Sequence, residues 1–225
     1  MCAFLSVSFS PSYQSSNALL DGKAYSFLQV VGSEEQAPCG SYRNKAEAHS
    51  IVSLIYQLSS SAKKDKEWHC LDKIRIITFY RAQVALIKQL LRQKGFQKVL
   101  VATVDSSQGC EADLVIVSFV RSNNGRRPSQ TTGFLAGFLN DDRRMNVALT
   151  RARHQLICIG NAQAMNNTDN TSTIWGLVTD AKERDCILIR NHKDFTTGKK
   201  RQQSAVPSSK SNKKKQRRQS CFGAK

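Results

Sequence analysis

The sequence lacks any run of about 18 apolar residues, so it predicts no membrane-spanning helix. It also lacks a basic stretch followed by a long apolar run near its start, so no secretory signal is predicted. No two of its seven cysteines have the Cys-x-x-Cys spacing of a zinc or redox site, and their number is odd. We therefore expect reduced intracellular thiols, and neither a secreted, disulfide-stapled protein nor a membrane protein.

Acidic residues are absent from residues 195–225, which carry ten basic ones. Of the net charge of +17, these ten leave +7 for residues 1–194. A segment of Lys, Arg, Ser and Gln buries too little apolar surface to offset its ordering entropy, so residues 193–225 are predicted to be a disordered basic tail. The clusters at 199–201 and 213–218 fit a nuclear import signal or a phosphate-binding arm, or a merely solvated tail. A nuclear or cytoplasmic location is expected.

Strands and helices alternate in the remaining sequence, which is introduced by a serine-rich lead-in over residues 1–24. Asn44 is predicted to cap the first helix, with Glu47 completing a capping box. The alternation predicts an α/β domain over residues 25–192 with a mostly parallel sheet. Apolar periodicity predicts strands at 25–31, 74–79, 99–104, 114–120, 156–159 and 187–189, a loop around 38–41, and helices at 45–58, 83–91, 143–152 and 174–182.

Two polar segments are candidates for the chemistry, and both are expected at the carboxyl ends of strands, where ligands bind in such sheets. The first, residues 101–113, leaves a strand and turns at Gly109. Its hydroxyl, amide and glycine groups suit phosphate oxygens, although they are also ordinary loop residues. The second, residues 137–153, holds four arginines.

Arg151 is the arginine of this second segment that we expect to be functional. A guanidinium is permanently charged and forks onto phosphate oxygens, so it can stabilise charge on a transferring phosphoryl group. If the segment is helical, Arg144 and Arg151 share a face. Arg143 and Arg153 are expected mainly to pair with Asp141, Asp142 or a helix C-terminus.

The two segments resemble the last motifs of the superfamily 1B helicases, the group that includes the nonsense-mediated-decay RNA helicase and senataxin. Residues 101–113 resemble motif V, and residues 137–153 resemble the long motif VI. Residues 76–83 resemble motif IV, with Phe where Pro is common, and residues 41–48 match the family's Ser-x-x-Asn-x-x-Glu-Ala helix start. The resemblance covers about residues 1–190, including a faint likeness to the segment after the family's Gln-Tyr-Arg-Met motif, and implies the second of two RecA-like three-layer domains.

The resemblance also implies roles for individual residues. Arg151 would be the arginine finger on the γ-phosphate of ATP, and Glu111 would reach the ribose or the water shell of the Mg²⁺ ion. Gln108 would couple the nucleotide cleft to a strand of single-stranded RNA or DNA. Gly109 would lie beside the nucleotide. Contacts to the nucleic-acid backbone would come from Thr103, Ser106, Ser41 and Asn44, although capping alone also explains Asn44.

The family's P-loop pattern, Gly-x-x-x-x-Gly-Lys-Ser/Thr, and a Walker-B-like Asp-Glu are missing from this sequence. Most ligands of ATP and Mg²⁺ would then come from a first RecA-like domain in the same or another chain. A fragment, an incomplete gene model or a degenerate copy would each explain the pattern. Residues 122–136 form a longer loop than the family's pattern predicts, either a nucleic-acid-facing insertion or a solvated loop.

Three functional interpretations follow. The chain is the second half of a helicase motor, inactive alone; or a stand-alone nucleic-acid-binding module; or an inactive remnant.

Overall fold

The computed structural model describes residues 23–62, 71–122, 139, 141–166 and 173–189. The lead-in up to residue 22, residues 123–136 of the long loop, and the basic tail lie outside these residues. Within them the strands are β1 (Tyr25–Gln29), β2 (Glu34–Gln36), β3 (Tyr42–Asn44), β4 (Ile74–Thr78), β5 (Leu100–Thr103), β6 (Ala112–Ser118), β7 (Ala152–Gly160) and β8 (Ile187–Ile189). The helices are α1 (Lys45–Ala62), α2 (Arg81–Gln93), α3 (Asp142–Leu149), α4 (Ala162–Asn166) and α5 (Thr173–Glu183).

The main sheet has six strands in the order β5-β4-β6-β7-β1-β8, and every neighbouring pair is parallel. The central strand β6 is apolar and buried from Leu114 to Val117 because both faces of the sheet are covered, as the run predicted at 114–120 indicates. This sheet and its helices confirm the α/β prediction, and the topology is consistent with a RecA-like domain.

Helices cover the sheet on both faces and form three layers. On one face, α1 and α2 bury Ile55 and Ile87 against Ile116. On the other face, α3 and α5 bury Met145 and Val178 with the side chains of β6 and β7. Full burial of one such side chain contributes roughly 1.5–3 kcal/mol of transfer free energy, so these two apolar layers hold the helices on the sheet.

Three elements were not predicted from sequence. Strands β2 and β3 form an antiparallel hairpin around the predicted loop at 38–41, and α4 is a short helix after β7. The segment of β2, Glu-Glu-Gln, has no apolar alternation, so the signal on which strand prediction depends is absent.

The predicted third helix is shorter than expected. It ends at Leu149, and β7 begins at Ala152, because Ala152 pairs with Ala112 of β6. Arg151 therefore lies in the turn after the helix, and the suggestion that Arg144 and Arg151 share a helix face was wrong.

The thiols of the described cysteines Cys39, Cys110, Cys158 and Cys186 are free. Cys158 is fully buried in β7, and burial raises the pKa of its thiol. Among the described helices, none is long and apolar enough to cross a membrane.

Candidate nucleotide and nucleic-acid site

The predicted site residues lie at opposite edges of the sheet. Thr103 is the last residue of β5, at the carboxyl edge of the sheet. Thr78 of β4 pairs with Thr103 on one side and with Ser118, the last residue of β6, on the other, so all three lie at this edge. Arg151 precedes β7 at the amino edge, where its carbonyl accepts a hydrogen bond from the Ala112 N–H at 3.0 Å. Because Ala112 and Ser118 are the two ends of β6, the edges are about 20 Å apart along the strands.

The expectation that both polar segments lie at carboxyl ends was therefore wrong for Glu111 and Arg151. A strand parallel to β5 has to begin at the opposite edge of the sheet. The chain between Thr103 and Ala112 consequently crosses the length of the sheet instead of turning back at one edge.

Arg151 is held by the end of α3. Its Nε–H donates to the Val147 carbonyl at 3.0 Å, and its Nη2–H donates to Thr150 Oγ1 at 3.0 Å. Thr150 Oγ1 in turn donates to the Asn146 carbonyl at 2.8 Å. These acceptors at a helix C-terminus stabilise a cation. Of the five N–H groups of the guanidinium, three have no acceptor among the described residues and remain available to a phosphate.

Glu111 lies on the adjacent turn and is exposed. Its Oε2 accepts a hydrogen bond from Arg153 Nε at 3.1 Å, so the acidic partner of Arg153 is Glu111 and not one of the aspartates expected from the sequence. Gly109 has φ +74, which favours glycine, and a Cβ there would meet nothing within 4 Å. The glycine is therefore required by the backbone, and the space beside it is open to a ligand. Gln108 is exposed next to it.

Metal-binding groups are sparse in the described residues. Asp113 is paired with Lys73 Nζ at 3.4 Å, and its other oxygen is 3.9 Å from His154 Nε2. In this part of the chain no group of three His, Cys, Asp or Glu side chains is suited to a metal ion. The described residues thus fit the phosphates of a nucleotide, through Arg151, better than they fit its Mg²⁺ ion.

Thr103 and Ser106 come together at the carboxyl edge. Their hydroxyl oxygens are 2.8 Å apart, and Ser106 Oγ also accepts the Thr103 N–H at 3.0 Å. Asp105 between them is turned to Arg144, 2.9 Å away. Ser106 Oγ donates to the Thr103 carbonyl at 3.1 Å, so the protons of both hydroxyls are used within this turn, and a phosphate would accept from them only in exchange for one of these bonds.

Ser41 and Asn44 lie at the same edge but serve as helix caps. Ser41 Oγ accepts the Ala82 N–H at 3.1 Å in the first turn of α2. Asn44 Oδ1 accepts the Glu47 N–H at 3.2 Å and caps α1, as predicted. The Asn44 side chain also donates to the Val120 carbonyl at 3.1 Å, and the residue is only 1% exposed.

The second half of the predicted capping box is different. The Asn44 N–H donates to Gln83 Oε1 at 2.9 Å, whereas the Glu47 carboxylate accepts from Ser118 Oγ at 2.7 Å and from the Val120 N–H at 2.9 Å. Burial raises the pKa of Glu47 to about 8, although both of these hydrogen bonds act to lower it. Glu47 thus ties α1 to the end of β6.

Gln83 is a structural centre of this edge that the sequence reasoning missed. It is fully buried, and its Nε2 donates to the Asn44 carbonyl at 3.2 Å and to Ser118 Oγ at 3.1 Å. The available signal was an amide within the motif IV resemblance, near the start of a helix.

A buried ion pair lies just beyond β6 and was also missed. Arg121 Nε is 3.1 Å from Glu34 Oε2, both side chains are less than a tenth exposed, and the Arg121 guanidinium lies 4.3 Å over the Tyr42 ring. Val120 before it has φ 71, which is rare for a β-branched residue. The pair fixes the β2–β3 hairpin against the end of β6, beside the start of the long loop.

Comparisons with known proteins find a matching family model and relatives over most of the chain. A family model described as an AAA domain matches residues 6–163. The Regulator of nonsense transcripts 1 homolog of Arabidopsis thaliana is 36% identical over 72% of this chain and 12% of its own length. The ATP-dependent helicase NAM7 of Saccharomyces cerevisiae is 33% identical over 72% of this chain and 16% of its length. The DNA replication ATP-dependent helicase/nuclease DNA2 of Mus musculus is 35% identical over 64% and 12%. The chain therefore spans less than a fifth of these relatives.

Proposed function

Since this chain belongs to the AAA-domain family of superfamily 1B helicases, with relatives among the regulators of nonsense transcripts, we propose that it is the second RecA-like domain of an ATP-dependent helicase motor. Its part in the reaction would be to supply an arginine finger and contacts to a single strand of RNA or DNA. The P-loop and the ligands of Mg²⁺ would come from a first RecA-like domain, in the same or another chain.

The hydrogen bonding of Arg151 carries this proposal. The residue is fixed through Nε and one Nη2–H, while three N–H groups point to no described acceptor. A γ-phosphate bound by these donors would keep its developing charge neutralised during transfer. Glu111, with Gly109 and Gln108 beside it, would contact the rest of the nucleotide from the same edge. ATP with Mg²⁺ is thus the cofactor, and it supplies the phosphoryl group.

The exposed hydroxyls at the carboxyl edge support the second half of the proposal. Thr103 and Ser106 would donate to the phosphates of the strand in exchange for the hydrogen bonds within their turn, about 20 Å along the strands from the nucleotide. Ser41 and Asn44 would act indirectly, by stabilising the first turns of α2 and α1 at this edge, because both side chains are engaged as caps.

ATP hydrolysis tests the proposal. The chain is assayed alone and mixed with a first RecA-like domain of a close relative, with single-stranded RNA and with single-stranded DNA. We expect turnover only in the mixture, and Arg151→Ala should reduce it by roughly 10³–10⁵-fold, as for arginine fingers elsewhere. Arg143→Ala is the matched control, since Arg143 is exposed on α3 and outside the proposed site.

Turnover by the chain alone that Arg151→Ala leaves unchanged would contradict the assignment. The alternative is a stand-alone nucleic-acid-binding module or an inactive remnant, favoured by the absence of a P-loop pattern from this sequence. Nucleic-acid binding without hydrolysis in any mixture would support the module, and loss of both activities the remnant. The basic clusters of the tail would favour a nuclear location over a cytoplasmic one.

A further inference from the structure

Helix α2 and the turn after it carry a charge of one sign. Residues 79–104 contain five basic residues and no acidic one. All five are exposed, and none forms an ion pair with any described residue. They are Arg81, Lys88, Arg92, Lys94 and Lys98.

Three of these cations form a stripe along α2. At 100° per residue, Arg81, Lys88 and Arg92 lie within about 20° of one line on the helix. The buried side chains Ile87 and Leu91 lie about 80–120° around the helix from that line. At 1.5 Å per residue the stripe is about 16 Å long, which is close to the rise of five phosphates along one strand of a B-form duplex.

Within the described residues, the stripe places cations without an ion-pair partner close together, whereas several cations elsewhere have an acidic partner. Arg144 has Asp105 and Arg153 has Glu111. Lys88 and Arg92, by contrast, are like charges at i and i+4, an arrangement that costs a helix a few tenths of a kcal/mol. Among the described residues no acidic side chain pairs with either of them to offset that repulsion, so a polyanion is the partner that the face suits.

The position of α2 connects the stripe to the proposed strand site. The helix begins at the carboxyl edge, where Ser41 caps it, and packs on β5, which ends at Thr103. Beyond its other end, Phe96 makes an edge-to-face contact with Tyr56, with ring centroids 6.5 Å apart. Tyr56 is 58% exposed, so its ring is available for stacking on a base.

We propose that the basic face of α2 binds the phosphate backbone of nucleic acid, continuing the path that starts at Thr103 and Ser106 and ending at Tyr56. The direction of that path rests on the proposed function, whereas binding to the face itself does not require ATP hydrolysis. A membrane surface suits the stripe less well, because the exposed positions of α2 hold no large apolar side chain that could insert.

The test compares two double variants of the full chain. Lys88→Gln/Arg92→Gln removes one Lys and one Arg from the stripe, and Arg143→Gln/Lys182→Gln removes the same charges from exposed positions elsewhere. Binding of a fluorescent oligouridylate is measured by anisotropy over a range of salt concentrations. If two phosphate contacts are lost, the slope of log K against log salt falls by about 1.4 for a single strand, which is roughly 25-fold in affinity at 0.1 M salt. The control variant should keep the parent slope, because the tail is intact in both.

Equal slopes for the two double variants would overturn the proposal. It would also be overturned if Lys88→Gln/Arg92→Gln left oligonucleotide binding unchanged but abolished binding to phosphatidylserine vesicles. A second measurement maps ultraviolet cross-links, which we expect on the peptide that contains Tyr56. The variant Thr103→Val/Ser106→Ala separates the two proposals. If it alone weakens binding, the stripe is refuted and the strand site at the carboxyl edge is retained. If only the stripe variant weakens binding and no mixture hydrolyses ATP, the stripe is supported and the motor assignment fails.

Discussion

Replacing Glu47 by Gln should flatten the dependence of stability on pH. Burial raises the pKa of this carboxyl from 4.5 to about 8 in the folded protein. Between these values the folded state binds the proton that the unfolded state releases, so the free energy of unfolding falls as the pH rises. The slope is about 1.4 kcal/mol per pH unit, which gives a loss on the order of 2.5 kcal/mol from pH 5 to pH 7. This contribution is fully present below about pH 4.5 and is lost by about pH 8.

Urea unfolding at several pH values between 5 and 8 measures this slope. Glu47→Gln keeps the size of the side chain and an acceptor for Ser118 Oγ, and it removes the titration. Glu183→Gln, on the exposed end of α5, is the control and should keep the slope of the parent. A parent protein as stable at pH 7 as at pH 5, with the same profile in Glu47→Gln, would refute the reasoning, because it would mean that the donors from Ser118 and Val120 keep the buried carboxylate ionised.

Two further predictions concern capping and thiol reactivity. Asn44→Ala removes the cap of α1 and a bond to the end of β6, so thermal unfolding should report a loss of about 1–2 kcal/mol, and Asn44→Asp should recover part of it; an unchanged melting temperature in Asn44→Ala would contradict the capping role. In the folded protein, iodoacetamide should label Cys39, which is exposed, and spare Cys158, which is buried with a raised pKa; mass spectrometry that finds equal labelling at both would contradict the packing of β7.

Periodicity predicted the elements that bury apolar faces. The helix predicted at 45–58 forms as α1 over Lys45–Ala62, and the strand predicted at 74–79 forms as β4 over Ile74–Thr78. The β2–β3 hairpin was not predicted because it is stabilised by residues distant in sequence. The main contact is the Glu34–Arg121 ion pair, in which Arg121 Nε is 3.1 Å from Glu34 Oε2. Such contacts leave no local pattern.

The candidate site was also predicted only in part. The charge of its guanidinium made Arg151 a candidate and the family resemblance implied Thr103 and Ser106, but neither predicted the edge of the sheet at which each one lies. The edge follows from the parallel pairing of β5, β4, β6 and β7, in which β6 and β7 begin at the edge opposite to the end of β5. The network around Gln83 could not be derived either, since a buried amide and a surface amide look alike in sequence.

The segment between Thr103 and Ala112 is the physical link between the two edges, and it decides how the proposed motor would couple them. Two ion pairs join it to α3 and β7, but their side chains are between one third and two thirds exposed. Such pairs contribute about 0–1 kcal/mol each and cannot transmit much force. The stronger connections are buried. Val104 and Ser107 have almost no exposed surface, Ser107 Oγ donates to the Thr103 carbonyl at 2.8 Å, and the Ala112 N–H donates to the Arg151 carbonyl at 3.0 Å. A shift of Arg151 on binding a phosphate would therefore reach Thr103 mainly through this packed backbone, and removing both ion pairs should weaken the coupling far less than disturbing Ser107.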